Sequence, residues 1–338
     1  MARYFGDINT RARGLRTHLL SSGDLERLAR ATSLTALQRE LGALGYAGAD
    51  GPATPASLEQ SVRRWAASQL AVLERWCTDQ RRAALSVIFE DEDRRSIQSL
   101  LRGAARGTAT ETRMTALLPT RGLPERALLT LAKQPTPADV VRMLVLWNHP
   151  FGSALVRAAS GSHPSLFEME IELHRVFAQR ASASAKEGGR QLVEYVQGVV
   201  DLMNAWSALL HFEERDPSIV DLTFVEGGRW ITRDLFQDLM GLDTRGDVER
   251  QLASSLRSSA LGAIFRGKTE DLAELEGAAL RAQIAWQNRA VRLDPSGAAP
   301  VLGFAIELRA QVLNLMRIVW GVALRAPAAL IQAEMVMA

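Results

Sequence analysis

Apolar residues recur at spacings of three and four along almost the whole chain, which is the pattern of amphipathic helices. Alternation of apolar and polar positions, typical of a half-buried strand, occurs only at 219–225. Segments rich in Gly, Pro, Ser and Asp interrupt the helical pattern, as loops require. These breaks lie near residues 48–56, 102–111, 160–165, 182–190, 213–218 and 292–300. The pattern predicts an all-α protein.

A polar pair recurs on three of the predicted helices. In each pair an acid or amide stands three residues before a small polar residue, so both side chains share one helix face. The pairs are Asp93 and Ser96, Asp201 and Asn204, and Gln311 and Asn314. Their second members are 108 and 110 residues apart. The pairs are candidates for a buried hydrogen-bond network that joins neighbouring units, with contact to a partner as the alternative.

A pair of short apolar helices repeats with a similar period. Its three copies are Leu25, Leu28, Leu37 and Leu41; Leu128, Leu131, Val140 and Leu144; and Phe236, Leu239, Val248 and Leu252. The N-terminal copy lacks a polar pair and the C-terminal polar pair lacks a following copy. The order predicts three helical units closed into a pseudo-threefold funnel, in which the C-terminal helix completes the N-terminal unit. The units would be 1–57 plus 270–338, 58–161 and 162–269.

Composition narrows the class of protein. The chain has 338 residues, 47% of them hydrophobic, and a net charge of +2. It can therefore bury a large core, and the near balance of charge argues against a polybasic nucleic-acid binder. The lone cysteine, Cys77, excludes a disulfide or a cysteine zinc cluster within one chain. No leader-like segment occurs at 1–16, and the apolar stretch 312–331 contains Arg317 and Arg325, so we expect a cytoplasmic protein without a membrane span.

Residues 262–269 match the phosphate-loop pattern G-x-x-x-x-G-K-[ST] in full. A true phosphate loop follows a buried strand and opens a helix. Here the preceding residues have helical periodicity and no strand is evident. The favoured interpretation is a helix end at Gly267 followed by a helix start at Thr269, and no nucleotide cofactor is predicted.

A run of four acidic residues at 90–93 suggests a second type of chemistry. In all-α enzymes that use diphosphates, such a run holds Mg²⁺ together with a second acidic motif, which this sequence lacks. Arg94 and Arg95 follow directly, so a solvated or ion-paired helix face is favoured. The histidines show no metal-binding spacing, and neither a metal nor a catalytic site is predicted.

Arginines flank the predicted turns before the apolar helix pairs. The candidates for partner contact are Arg11, Arg13, Arg102, Arg121, Arg126, Arg229 and Arg233. One interpretation is a solvated rim. The other is a charged face toward an acidic partner, which would set the rate and register of association.

The order of these weak signals resembles the socket subunit of rotary V/A-type ATPases, called C in prokaryotic and d (39 kDa accessory subunit) in eukaryotic enzymes. The resemblance spans essentially the whole chain. It rests on Asn9, Arg11 and Arg13 followed by Leu19 and Leu20; the segment 89–102; Asp201 and Asn204; the turn 224–228; and Glu307, Asn314, Leu315, Arg317 and Ile318. Ser96 and Gln311 depart from the family pattern, which has Asn and an acid there.

The resemblance implies a non-catalytic rotor adaptor of an ion-translocating ATPase. Its partners would be the central axle subunits and the proteolipid rotor ring, and it would lie at the inner face of the membrane through that complex. The alternatives from other classes are an all-α Mg-dependent enzyme acting on a diphosphate and a generic helical scaffold. The first would bind diphosphate with Mg²⁺, whereas an adaptor would not.

Overall fold

The computed structural model describes residues 5–46, 51–77, 79–115, 117–160, 164–212, 217–266 and 272–336. Within these ranges every regular element is a helix, which confirms the all-α prediction. The helices of the first half are α1 Gly6–Arg16, α2 Ser22–Ala29, α3 Leu34–Ala43, α4 Pro55–Arg75, α5 Asp79–Ala105, α6 Thr110–Met114, α7 Glu125–Ala132, α8 Pro137–Leu146 and α9 Gly152–Ala159.

The second half contains longer helices. They are α10 Leu166–Gly188, α11 Arg190–His211, α12 Pro217–Thr223, α13 Arg233–Met240, α14 Arg245–Ser255, a 3-10 helix Ala260–Arg266, α15 Leu272–Leu293, α16 Ala299–Ala323 and α17 Ala328–Ala333. Residues 182–188, which belong to a sequence-predicted break, are helical, and the break narrows to the junction at Gly189. There φ is +93°, a backbone conformation that glycine adopts readily.

The short alternation at 219–225, the one strand candidate in the sequence, does not form a strand. Residues 217–223 form α12, and Val225 lies in the loop that follows. Val220 and Phe224, four residues apart, are both buried, as is Thr223. Because this burial follows a helical spacing, packing against the core overrides the short alternation of apolar and polar residues.

The three apolar helix pairs are α2 with α3, α7 with α8, and α13 with α14. All twelve of their repeated apolar positions are buried. The second helix of each pair begins at a hydroxyl cap, where Ser33, Thr136 or Thr244 accepts a hydrogen bond from a backbone N–H. The caps satisfy helix-end donors and fix where each helix begins.

The long helices α5, α11 and α16 carry the three polar pairs and run through the core. Helix α16 packs against α1, α2, α3 and α4 of the N-terminal region, and also against α15 and α17. The C-terminal part of the chain therefore contributes directly to the packing of its first helices. Most of α16 is buried, although Trp320 within the predicted apolar stretch is 44% exposed. No helix within the described ranges is long and apolar enough to cross a bilayer.

Candidate functional site

The second polar pair, on α11, holds the loop that precedes α13. The amide Nδ2 of Asn204 donates to the carbonyl oxygen of Val225 at 2.9 Å, and the N–H of Val225 donates to Asn204 Oδ1 at 2.9 Å. The Asp201 carboxylate accepts hydrogen bonds from the backbone N–H groups of Arg229, Trp230 and Ile231 at 2.9–3.2 Å. Both side chains are fully buried. One helix face thus fixes the backbone at both ends of a seven-residue turn.

Gly228 lies against the same carboxylate. A Cβ atom at this position would overlap Asp201 Oδ1, so the close approach of the turn to α11 requires glycine. Burial raises the pKa of Asp201, and the three backbone N–H groups act in the opposite direction by stabilising the charged form.

The third pair, on α16, makes the corresponding contacts with both ends of the chain. Asn314 Nδ2 donates to the carbonyl oxygen of Val336 at 2.9 Å, and the Val336 N–H donates to Asn314 Oδ1 at 2.8 Å. Gln311 Oε1 accepts a hydrogen bond from the Leu20 N–H, and its Nε2 donates to the hydroxyl of Tyr46. This pair therefore ties the C-terminal segment and the N-terminal region to one helix.

The first pair, on α5, reaches its turn through a hydroxyl. The Thr120 hydroxyl donates to Asp93 Oδ1 and accepts from the Leu123 N–H at 3.0 Å. His149 Nε2 lies 3.7 Å from Asp93 Oδ2, and a Cβ atom at Gly122 would overlap this carboxylate. Ser96 is buried, but its side chain ends in a single hydroxyl. It therefore lacks the separate amide donor and acceptor with which Asn204 and Asn314 each bond to the N–H and the carbonyl oxygen of one residue.

One contact recurs in all three places. Ile231, Leu20 and Leu123 each stand immediately before the residue that caps α13, α2 or α7. Their N–H groups bond to the first polar residue of a pair, directly at Asp201 and Gln311 and through Thr120 at Asp93. Each long helix therefore fixes the starting point of a short apolar helix.

We predict that Asn204→Ala and Asn314→Ala each lower the free energy of unfolding, by about 1–3 kcal/mol, because each leaves two buried backbone groups without a partner. Chemical denaturation of the purified chain measures this. Gln332→Ala on α17, where the side chain is more exposed, is the matched control. Unchanged stability in both asparagine variants would contradict a structural role for the pairs.

The acidic run at 90–93 is buried. Two environments were expected for it, a solvated or an ion-paired helix face, and the solvated one is wrong. Asp91 accepts hydrogen bonds from Arg94 at 2.7 and 3.0 Å, from Arg95 at 3.3 Å and from Arg309 at 3.1 Å. Arg309 also pairs with Glu92. The reason is that α5 packs against α10 and that Arg309 of α16 reaches the run, so its carboxylates meet other helices instead of water.

Two further contacts complete this buried cluster. Arg180 on α10 forms a two-bond ion pair with Glu90 at 2.8 and 3.0 Å. The Tyr195 hydroxyl on α11 donates to Asp91 Oδ2 at 3.1 Å. Burial by itself raises the pKa of Asp91, but the surrounding guanidinium groups outweigh it and hold that pKa well below its usual range. Glu90, Asp91 and Glu92 are thus paired with arginines, and Asp93 is bonded to Thr120. No group of three or more His, Cys, Asp or Glu in the described ranges is placed to hold a metal ion.

His174 on α10 contributes a pH dependence. Its Nε2 is buried without a hydrogen-bond partner in the described structure, and burial, aided by the positive charges of Arg94 and Arg102, holds the imidazole pKa well below 6.5. The unfolded chain therefore binds a proton at this residue below pH 6.5 while the folded chain does not. The stability from this residue is fully present above pH 6.5 and is lost as the pH falls below it.

We expect His174→Gln to remove that loss. Relative to the variant, the wild type should lose about 1.4 kcal/mol of unfolding free energy per pH unit below 6.5 until the folded histidine titrates. Denaturant unfolding between pH 7.5 and 5.0 measures the difference, with His18→Gln at an exposed position as control. An identical pH dependence in wild type and His174→Gln would contradict the assignment.

The arginines predicted to contact a partner differ in whether they pair with a carboxylate of the same chain. Arg102 forms a two-bond ion pair with Glu170 at 2.6 Å, and Arg233 pairs with Asp221 and Glu226. Arg229 lies 3.7 Å from Glu194. These three therefore have carboxylate partners within the chain.

The remaining four of these arginines have other surroundings. Arg11 stacks on the ring of Trp76, and Arg13 donates to the Pro295 carbonyl oxygen at 3.0 Å. Arg121 and Arg126 are exposed and form no ion pair with a carboxylate of the described residues.

Arg121 lines a groove between α4 and the loop at 117–124. The groove has a volume of about 760 Å³, and its charged lining residues are Arg63, Arg64, Arg75, Arg121, Glu74 and Glu125. Four arginines against two glutamates leave it positively charged. Arg63 is largely buried and donates to the Met114 carbonyl oxygen, whereas Arg64, Arg75 and Arg121 are exposed.

The phosphate-loop pattern at 262–269 lacks the required context. It is preceded by α14 and not by a strand, and its first residues belong to the 3-10 helix Ala260–Arg266. A Cβ atom at Gly262 would overlap the backbone of Leu256 and Arg257, so this glycine serves close packing. Gly267, Lys268 and Thr269 lie outside the described residues, and so does the helix boundary expected there.

A sequence model of the family described as ATP synthase (C/AC39) subunit matches residues 8–334. The chain belongs to this family. None of the curated proteins is significantly similar to it in sequence. The match agrees with the resemblance drawn from the polar pairs, the 224–228 turn and the C-terminal helix.

A C/AC39 subunit is a structural component of the ATPase stalk and not a catalytic one. The Mg-dependent enzyme alternative is therefore wrong, and the family match favours an ATPase subunit over a generic scaffold. The arginine cluster around Asp91 and the polar pairs bond separate parts of the chain to one another.

Some important residues were not evident from the sequence. Arg309 neutralises Glu92 from 217 residues away, and Thr120 links Asp93 to the following turn. A charged residue between the apolar positions Leu308 and Ala310 of α16 was an available signal for Arg309, because a buried charge needs a partner. Nothing local marks Thr120, whose role depends on the approach of its loop to α5.

Proposed function

We propose that this C/AC39 subunit links the central axle of a V/A-type ATPase to its membrane rotor ring and transmits torque between them. The observation that carries the proposal is the family match over residues 8–334. The subunit would lie at the inner face of the membrane through its partners and would not itself enter the bilayer.

We also propose that the chain forms three quasi-repeated units closed into a funnel, with boundaries at 1–57 plus 270–338, 58–161 and 162–269. The recurring bond from a polar pair to the residue before a short apolar helix supports this arrangement. The packing of α16 against the N-terminal helices supports the closure. A closed unit resists twisting better than an open array, because its ends cannot move independently.

The polar pairs also fix the positions of the segments that carry several charged side chains. Asp93, acting through Thr120, fixes the loop that presents Arg121, and Asp201 fixes the turn that presents Arg229 and Arg233. A contact face that must transmit torque needs side chains held in register, and turns bonded to buried helices provide this. The groove beside Arg121 is the surface that we assign to an acidic segment of a partner subunit.

The groove assignment predicts the effect of charge reversal. Arg75→Glu with Arg121→Glu should slow association with the purified partner subcomplex at least about tenfold at low salt, with a smaller difference at high salt, since exposed charges mainly set association rates. Surface plasmon resonance measures this effect, and melting temperature checks the fold. Arg292→Glu, exposed at the end of α15, is the matched control.

Equal association rates for the double variant and the wild type would exclude the groove as a contact face. They would leave the adaptor role itself to be tested by recovery of the complex. A loss of association that persists unchanged at high salt would also contradict the electrostatic assignment.

A further inference from the structure

The groove beside Arg121 is lined by short side chains along α4. From lining residue 63 to lining residue 75, this helix runs along the groove for about 18 Å. The small residues on its groove side and the prolines on the facing wall are Ala67, Ser68, Ala71, Pro119 and Pro124. Because the distance between packed helices depends on the side chains at the contact, a second helix could approach α4 closely here.

The wall that faces α4 offers few backbone donors. Pro119 and Pro124 have no N–H group. The Thr120 N–H is bonded to the Leu123 carbonyl oxygen at 3.2 Å, and the Leu123 N–H is bonded to the Thr120 hydroxyl at 3.0 Å. An extended segment would need main-chain partners in the groove, whereas a helix satisfies its backbone internally. The groove therefore favours a helical occupant.

The positive charge of the groove is concentrated at one end. Arg64 lies 3.5 Å from Glu125, which partly neutralises it. Eleven residues further along α4, Arg75 is exposed, and neither it nor Arg121 forms an ion pair within the described residues. The backbone N–H of Arg121 donates to the Glu74 carboxylate, so Arg121 lies beside the last turn of α4. One carboxylate here faces two unpaired guanidinium groups, and this end carries net positive charge.

Arginines at the other two turns that precede a short apolar helix are paired within the chain. Arg16, before the turn that leads to α2, bonds to Glu307. Arg233, at the start of α13, pairs with Asp221. Of the three related turns, the one at Arg121 is therefore the one whose arginine is available to a partner.

We propose that the groove beside Arg121 binds an amphipathic helix of a partner subunit. The apolar face of that helix would lie on Ala67 and Ala71, and acidic residues at one end of it would meet Arg75 and Arg121. The apolar contact would stabilise the bound helix, and the charges would set its register and its rate of association. This inference rests on the proposed contact between the groove and a partner subunit, and it specifies the secondary structure and charge pattern of the partner segment.

The test is photo-crosslinking from a cysteine at the centre of the groove. The full-length Ser68→Cys variant is labelled with a benzophenone maleimide, since the native Cys77 is only 1% exposed and does not compete for the label. The labelled protein is mixed with the purified partner subcomplex and irradiated, and the cross-linked peptides are identified by mass spectrometry. Ser153→Cys, exposed on α9 and outside the groove, is the matched control.

We expect the groove label to react with one segment of one partner subunit, and the control label not to react with it. That segment should have apolar residues at spacings of three and four, and an excess of acidic residues at one end. Cross-links to a segment without this pattern, to lipid, or to nothing while the complex forms would overturn the helix proposal alone. If the wild-type protein did not bind the subcomplex at all, the adaptor function itself would be contradicted, and the proposal with it.

A gain of association provides a second test that damage to the fold cannot imitate. Glu125→Gln removes a negative charge from the groove and releases Arg64, so it should speed association with the partner subcomplex about twofold or more at low salt. Glu274→Gln is the matched control, because Glu274 likewise lies in the first turn of its helix, α15, and is outside the groove. Surface plasmon resonance measures both variants. An association rate of Glu125→Gln equal to or below that of the wild type would contradict the binding of an acidic helix.

Discussion

Replacing Arg309 with methionine should lower the free energy of unfolding by about 3–5 kcal/mol, because the change leaves a buried carboxylate without its partner. Glu92 is 6% exposed, and the only ion pair it forms in the described structure is with Arg309. Asp91 would keep Arg94 and Arg95 but lose its third guanidinium. The loss also separates α5 from α16, since Arg309 spans these two helices. Urea denaturation at pH 7 measures the effect.

A second variant distinguishes the loss of charge pairing from the loss of packing. Glu92→Met combined with Arg309→Met removes both members of the pair, and it should recover most of the stability, since an apolar pair can replace a buried ion pair at little net cost. Arg292→Met at an exposed site is the matched control. A change of less than about 1 kcal/mol in Arg309→Met would contradict the role of this cluster in joining the helices.

Replacing Asp201 with alanine should lower the unfolding free energy by at least about 3 kcal/mol, because three backbone N–H groups lose their acceptor at about 1–3 kcal/mol each. The N–H groups belong to Arg229, Trp230 and Ile231, directly before α13. The turn should then detach from α11 more often. Amide hydrogen exchange should show faster exchange at these three residues, and denaturation should show the loss of stability.

Asp201→Asn keeps one acceptor oxygen and should fall between wild type and Asp201→Ala. Asp238→Ala, exposed on the neighbouring helix α13, is the matched control. Gly228→Ala tests the same contact from the other side, because its Cβ would overlap the Asp201 carboxylate. If Asp201→Ala and Gly228→Ala were both as stable as the wild type, the result would contradict the conclusion that the Asp201 carboxylate fixes this turn.

The sequence was sufficient for the fold class and for the main core positions. Helical spacing identified the twelve repeated apolar positions, all of which are buried. This succeeded because amphipathic helices bury residues at a fixed period. It was ambiguous at 219–225, where the segment is too short for periodicity to separate a strand from a helix turn.

The sequence was less informative about electrostatics. The run at 90–93 has two possible environments, and a local pattern cannot show that α16 brings Arg309 to it from 217 residues away. Likewise Arg102 and Arg121 have the same sequence signature, yet one is paired with Glu170 and the other is exposed beside the groove. Pairing over such distances depends on tertiary packing, which no single-sequence pattern records.

The structure also suggests why this subunit combines polar pairs with an apolar core. Apolar packing stabilises the helices but specifies their register only loosely. The hydrogen bonds of Asp201 and Asn204 fix one turn at both of its ends. Those of Gln311 and Asn314 hold the N-terminal region and the C-terminal segment against α16. The proposed transmission of torque would benefit from such fixed points, because the contact faces would then keep their relative positions.

The most direct test of the adaptor function is affinity recovery of the tagged, full-length protein from host membranes solubilised in a mild detergent, followed by mass spectrometry. We predict that the axle subunits and the proteolipid ring are recovered together with it. Recovery of the protein alone, while the intact ATPase is present in the same extract, would contradict the proposed role as the link between axle and ring.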